Sequence, residues 1–362
     1  MGKIALKSKW LFNYAHLYDE NNNDTKIKLK KQKGFVNVDF DDSKFIGLKF
    51  TSFRNKKSTS YIYPGSLDLS FTDDNNKNTK IIHEIEGKVI NHELTDKKNL
   101  SYIEDRKKKI YVYLPSTYTK EKPCEVLLCF DGHNDYNQDV EYTSKHDPYG
   151  SIQMDTIIDT YCKKEDRNII LVGIDNSSDL RESELTMDNK KYGKYNHKMT
   201  ERLVFKTSGK LDSLDRFINE TLLPFIKAEY NADLNKVSIY GSSCGGIAAF
   251  YLGMKNLGKY KSILAFSPAF AIYNFEAHIR FLSKIDFTRN DLPKIFIYNG
   301  YGDDLERLLM EDAKRMETFL LTRGYPKKLI SSLYVESFPH NEISWRLVMP
   351  KAICYAFDKD CK

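Results

Sequence analysis

The residues most able to do chemistry lie in Gly241-Ser-Ser243-Cys-Gly245, a G-x-S-x-G pentapeptide. It is preceded by Val237-Ser-Ile-Tyr240, β-branched and aromatic, and followed by the helix-forming run Ile247 to Met254. A buried strand turning sharply into a helix would hold Ser243 in a strained conformation. Its Oγ would be exposed, and the next N–H would stay free at the helix N-terminus. A phosphate-binding turn also begins with glycines, but no Lys-Ser/Thr pair follows here. The pattern therefore points to nucleophilic catalysis at Ser243.

A serine nucleophile needs a base, an acid that orients the base, and donors for the oxyanion. In a strand–helix architecture of this kind they follow in the order serine, acid, histidine. His340, in Ser-Phe-Pro-His-Asn-Glu342, sits in a loop between a predicted strand and the last helix, and is the expected base. His278 follows no comparable strand end. The acid is expected after the strand ending at Tyr298, where Asn299-Gly-Tyr-Gly-Asp303-Asp304-Leu-Glu306 offers Asp303, Asp304 and Glu306. Asp303 is preferred, because Asp304 and Glu306 read as the start of the following helix. The oxyanion donors are expected at the N–H of Cys244 and at the N–H of His133, in Phe130-Asp-Gly-His-Asn134. The glycine there is expected to let the backbone approach the substrate. Neither carboxylate nor cysteine spacing supports reading His133 and His146 as metal ligands, and no cofactor is called for.

The elements that would position these residues alternate in type. Lys88 to Leu94 and Ile110 to Leu114 predict a hairpin, and Val126 to Phe130 and Asn168 to Ile174 predict strands buried on both faces. Helices are predicted over Ser151 to Tyr161, Leu214 to Ala228 (bent near Pro224), Leu305 to Arg323 and Glu342 to Phe357. Further strands are predicted over Ser262 to Phe266, Ile295 to Tyr298 and Leu333 to Glu336. This is an α/β fold, a mostly parallel sheet flanked by helices, over residues 81–362. Residues 1–71 instead show period-two runs, among them Lys26 to Lys30, Phe35 to Phe40, Phe45 to Phe50 and Tyr61 to Tyr63. They read as a small β domain with an aromatic face at Trp10, Phe12, Tyr14 and Tyr18, joined by a polar linker over 72–80.

The chain has 362 residues and a net charge of +6. Residues 1–80 carry 15 Lys/Arg and 9 Asp/Glu, leaving 41 of each sign in the remainder. The excess positive charge belongs to the N-terminal unit, whose lysines read as water-facing strand residues rather than nucleic-acid contacts. The six cysteines have neither paired nor zinc spacing and read as free thiols. No apolar run is long enough to span a membrane. With no charged-then-apolar leader, the expected location is the cytoplasm.

From about Lys88 onward the chain resembles the putative esterase family of α/β-hydrolases. The resemblance rests on Val112-Tyr-Leu-Pro115, Phe130-Asp-Gly132, Arg181-Glu-Ser-Glu-Leu185, Phe225-Ile226, Gly241 to Gly246, Phe266-Ser-Pro-Ala-Phe270 and His340-Asn-Glu-Ile-Ser-Trp345. That family includes enterochelin-type siderophore esterases, feruloyl and acetylxylan esterases, S-formylglutathione hydrolases and mycolyltransferases. The resemblance implies Ser243 as nucleophile, His340 as base and the Asp303 region as acid. It also implies that Arg181 and Glu184 pair with one another at the pocket edge. The polar excursion from Asn176 to Asp212 is expected to lie over the pocket, with Tyr192, Tyr195 and His197 either touching substrate or belonging to a mobile surface loop.

The resulting expectation is a carboxylic-ester hydrolase working through an acyl-enzyme on a small ester, anionic and carbohydrate-linked esters included. An acyltransferase on the same residues is the enzyme alternative. A non-catalytic binding protein of the same fold is the other, and the ordered serine, acid and histidine argue against it.

Overall fold

A computed structural model describes residues 2–7, 10–19, 23–32, 35–40, 44, 47–53, 69–72, 80–81, 87–96, 106–136, 151–176, 179–193, 196 and 208–358. In the N-terminal part the strands are β1 (Gly2–Lys7), β2 (Asn13–Tyr18), β3 (Asp24–Leu29), β4 (Lys31–Gln32), β5 (Phe35–Phe40), β6 (Gly47–Ser52), β7 (Leu69–Thr72) and β8 (Lys80–Ile81). They form an antiparallel sheet ordered β3-β2-β6 and a mixed sheet ordered β4-β5-β1-β7-β8. The period-two runs thus become strands, with Ala15, Leu17, Val36, Val38, Leu48 and Phe50 as a small core. The run at Tyr61 to Tyr63 and most of the proposed linker lie outside the described residues.

The remaining strands form one eight-stranded sheet. They are β9 (Lys88–Asp96), β10 (Arg106–Leu114), β11 (Cys124–Phe130), β12 (Ile169–Ile174), β13 (Ala232–Ser242), β14 (Tyr260–Phe266), β15 (Lys294–Gly300) and β16 (Ile330–Val335). The order is β16-β15-β14-β13-β11-β12-β10-β9. β10 runs antiparallel to both neighbours, and β11 to β16 are mutually parallel. Period-two alternation splits the core into two layers. Ile239, Ile263, Ile295 and Ile297 face one layer, and Tyr240, Leu264, Phe296 and Tyr298 the other.

The helices are α1 (Met154–Glu165), α2 (Arg181–Glu184), α3 (Asn189–Tyr192), α4 (Leu211–Phe217), α5 (Leu223–Tyr230), α6 (Cys244–Lys255), α7 (Phe275–Leu282), α8 (Asp304–Thr322) and α9 (Glu342–Phe357). The single helix expected over 214–228 is instead α4, a π turn at Ile218–Leu222, and α5. Pro224 stands at the start of α5, directly after the π turn. Cys124, Cys129, Cys162 and Cys244 are free and buried. Cys354 is disulfide-bonded, contrary to the expectation of free thiols throughout.

The registers align Ser242 with Phe266, and Phe266 with Tyr298. The carboxyl ends of β11, β13, β14, β15 and β16 therefore lie along one edge of the sheet. In open α/β sheets this is the edge where functional loops gather.

Candidate active site

A small set of backbone bonds fixes together the loops that leave that edge. Ser243 follows β13 directly, at φ 54° and ψ −118°, a strained geometry for a residue with a Cβ. Gly241 makes the turn feasible, because a Cβ there would stand 2.1 Å from the Gly245 carbonyl oxygen. The Ser243 N–H donates to Phe266 O (2.8 Å), and its carbonyl accepts from Ala269 N (3.0 Å). The segment after β14 thus clasps the serine on both sides.

That segment also reaches Glu306. Ser267, at φ 41°, donates its hydroxyl to Glu306 Oε1 (2.5 Å) and accepts from Trp345 Nε1 (3.0 Å). Glu306 is fully buried and accepts three further bonds, from His340 Nδ1 (2.9 Å), Asn299 Nδ2 (2.7 Å) and the Gly300 N–H (3.0 Å). Four donors converge on this carboxylate and fix its position. With Glu306 as the acceptor, Nδ1 of His340 is the donor and Nε2 is the ring nitrogen able to accept. The Trp345 ring stands edge-on to the imidazole at 5.0 Å.

Asp303 has a different place from the one expected. Its Oδ1 caps α8 through Glu306 N (2.8 Å), and its Oδ2 accepts the backbone N–H of His340 (2.7 Å). It fixes the main chain of the histidine loop, while Glu306, one turn into α8, meets the imidazole. Asp304 is 84% exposed and paired with Arg307. The acid and histidine loops are further joined by Tyr301 N and Gly302 N, both donating to Phe338 O (3.1 and 2.9 Å).

The turn after β11 completes the edge. Asp131 is left-handed (φ 58°, ψ 37°) and begins the 3₁₀ turn Gly132–Asn134. Gly132 packs on β12, where a Cβ would stand 2.6 Å from Gly173 Cα. His133 is buried, with Nδ1 3.4 Å from the Asp175 carboxylate. Asn134 Nδ2 donates to Glu342 Oε1 (2.7 Å), tying this turn to the start of α9 beside His340. Cys244 opens α6, and burial pushes its thiol up to about 11 against the pull of Arg181, so the side chain stays neutral.

Three other expected site residues are placed otherwise. Arg181 does not pair with Glu184. It makes a two-pronged bond to Asp131, 2.6 Å from Nε and 2.6 Å from Nη2. Glu184 is fully buried on Lys108 Nζ (2.8 Å) and Asn176 Nδ2 (3.1 Å). Tyr192 is buried in the core against Phe281 (5.6 Å between rings). Leu185 and Met187 are buried in the same layer, so the described part of this excursion is anchored in the core. Tyr195, His197 and His146 lie outside the described residues. His278 is buried among aromatic rings, donating from Nε2 to Phe270 O (2.9 Å) and accepting at Nδ1 from the Tyr251 hydroxyl. Among the described residues no His/Cys/Asp/Glu group fit to hold a metal ion occurs. No described helix is long and apolar enough to cross a membrane.

The family described as putative esterase matches residues 101–353, which contain every residue of this constellation. The chain belongs to the putative esterase family. Among solved structures it resembles a ferulic acid esterase (TM-score 0.53, 17% identity, 75% of this chain and 98% of that one). It also resembles a siderophore hydrolase of Aspergillus nidulans (TM-score 0.55, 17% identity, 74% and 94%). At these identities the likeness is one of fold. A stretch of 52 residues is 40% identical to S-formylglutathione hydrolase of Rattus norvegicus, covering 14% of this chain and 18% of that enzyme. The chain is thus an esterase-family hydrolase built on a mostly parallel sheet.

Proposed function

We propose that this esterase-family chain is a serine carboxylic-ester hydrolase with Ser243 as nucleophile, His340 as general base and Glu306, in place of Asp303, as orienting acid. The observation that carries the reading is the bond from His340 Nδ1 to the buried, four-donor Glu306 carboxylate. In this reading Nε2 takes the Ser243 hydroxyl proton as Oγ attacks the acyl carbonyl, and a C–O bond forms. The oxyanion is met by the Cys244 N–H at the start of α6 and by the N–H of His133. Collapse expels the alcohol, which leaves with the proton from Nε2, and water repeats the sequence on the acyl-enzyme. Small esters of organic acids, such as the feruloyl and siderophore esters suggested by the names of the fold relatives, are the substrate class favoured.

The test is covalent labelling by a fluorophosphonate probe together with turnover of p-nitrophenyl acetate, methyl ferulate and a siderophore ester. Wild-type protein labels once, at Ser243, and turns over at least one of these esters. Ser243→Ala loses the label and at least ~10³-fold of the turnover. Labelling at another serine, or turnover that survives the substitution, defeats the proposal.

A further inference from the structure

Arg181 and Glu184 belong to a buried polar ring whose members close on the turn that begins at Asp131. Arg181 grips both carboxylate oxygens of Asp131, each at 2.6 Å. The Asp131 N–H donates to Asn176 Oδ1 (3.2 Å), and Asn176 Nδ2 donates to Glu184 Oε2 (3.1 Å). Glu184 returns through α2 to Arg181 and takes Lys108 Nζ (2.8 Å) as counter-ion. Asn176, Glu184 and Lys108 have no more than 2% exposure and so cannot touch an ester in the pocket. Arg181 is 27% exposed, but its fork is occupied by Asp131.

The ring acts on one place. Asp131 is a non-glycine residue in the left-handed region, a conformation that needs outside support. Its carboxylate also lies against the start of α6, since a Cβ on Gly245 would stand 3.1 Å from Asp131 Oδ2. An unpaired anion there would oppose negative charge developing beside Cys244 N. Arg181 both neutralises that anion and fixes the turn that carries His133.

We infer that Arg181, Asn176 and Glu184 are positioning residues that set the Asp131–Asn134 turn for the transition state, and that Arg181 is not a receptor for an anionic substrate. The inference rests on the proposed role of Ser243. A substrate-binding arginine and a positioning arginine differ in kinetics. The first affects KM for anionic esters alone. The second lowers kcat alike on neutral and anionic esters.

The experiment compares Arg181→Gln, Arg181→Lys and Asn176→Ala with wild type on p-nitrophenyl acetate and mono-p-nitrophenyl succinate. Sites are counted by fluorophosphonate titration, and thermal melts are run alongside. Arg181→Gln is expected to lower kcat per labelled site about 30- to 100-fold on both esters, with KM held within about threefold. Arg181→Lys keeps the charge without the fork and falls between the two. Asn176→Ala lowers kcat about tenfold or more, although its side chain is out of reach of substrate. A loss confined to KM for the succinate ester overturns the inference, as does a lower melting temperature with kcat per site unchanged. Ser243→Ala run in parallel separates the two failures. An inactive, unlabelled wild type defeats the esterase reading, whereas an active wild type with an unaffected Arg181→Gln defeats only the ring.

Discussion

Glu306→Gln is the sharpest perturbation of the proposed triad, because the structure fixes which way the new amide must lie. Each carboxylate oxygen of Glu306 receives two donors: Ser267 Oγ and His340 Nδ1 on one side, Asn299 Nδ2 and Gly300 N on the other. With the amide nitrogen toward Gly300, a backbone N–H that cannot rearrange faces another donor. That arrangement costs roughly 1–3 kcal/mol for the unsatisfied group. With the nitrogen toward His340, the Ser267 hydroxyl rotates to accept, and the imidazole moves its proton to Nε2. The second arrangement meets the fixed Gly300 N–H, leaves the rotatable Ser267 O–H without the acceptor it had, and installs a histidine that cannot accept the serine proton. A preference of ~1–3 kcal/mol depletes the competent tautomer by about 5- to 150-fold. Loss of the negative charge facing the imidazolium should bring the total near 10³–10⁴ in kcat, the scale of an acid-to-amide change in a Ser-His-Asp triad. Thermal stability should fall modestly, by roughly 1–3 kcal/mol, because the buried Ser267 O–H loses its acceptor. Asp303→Asn keeps a good N-cap and loses one bond to the His340 main chain, so about tenfold is expected. Asp304→Asn, at an exposed ion pair, should stay within about twofold. The assay is steady-state hydrolysis of p-nitrophenyl acetate, normalised to sites labelled by fluorophosphonate. A Glu306→Gln enzyme within about tenfold of wild type, or an Asp303→Asn enzyme more impaired than it, refutes the assignment.

Two further outcomes follow from the same packing. Ser267→Ala removes a charge-assisted bond to Glu306 and the acceptor for Trp345 Nε1, so kcat per labelled site should fall about tenfold, with a measurable drop in melting temperature; unchanged kinetics would show that the clasp is idle. His278 is held neutral by burial, its pKa lowered to about 4, so the unfolded chain binds the extra proton first on acidification. Stability should be complete above about pH 6.5 and fall by roughly 3 kcal/mol as pH drops toward 4, read from urea midpoints; a flat profile over that window in wild type contradicts it.

The sheet of residues 87–358 was legible because its signals are local. Continuous apolar runs mark β11 and β12, and alternation with helices marks a parallel sheet. Predicted strands and helices fall within a few residues of those observed, and Glu342 to Phe357 is the observed helix end to end. The 214–228 segment shows where local signals fail. Its apolar spacing is helical throughout, and the departure from α geometry falls directly before Pro224, which has no N–H to continue the ladder.

The site was legible to the extent that its residues stand next to a turn. Ser243 is marked by flanking glycines and His340 by its position before the last helix. The acid was obscured because the two carboxylates share one helix start. Asp303 has the sequence signature of a loop residue after a strand, and Glu306 that of a first-turn dipole partner. Both readings are correct as local statements, since Asp303 lies outside α8 and Glu306 inside it. What the sequence does not display is the direction of the helix. An N-cap side chain folds back onto its own helix, whereas the residue three positions on projects from the first turn. Here that projection is toward β14 and β16, where Ser267 and His340 wait. The same geometry separates Arg181 from Glu184. They are three residues apart on one short turn and near enough to suggest a mutual pair, yet each has a stronger partner across the fold. Lys108 lies on β10 and Asp131 directly after β11, and no local pattern connects either to α2. Long-range charge pairing is set by sheet order, and sheet order is what a single chain conceals most completely.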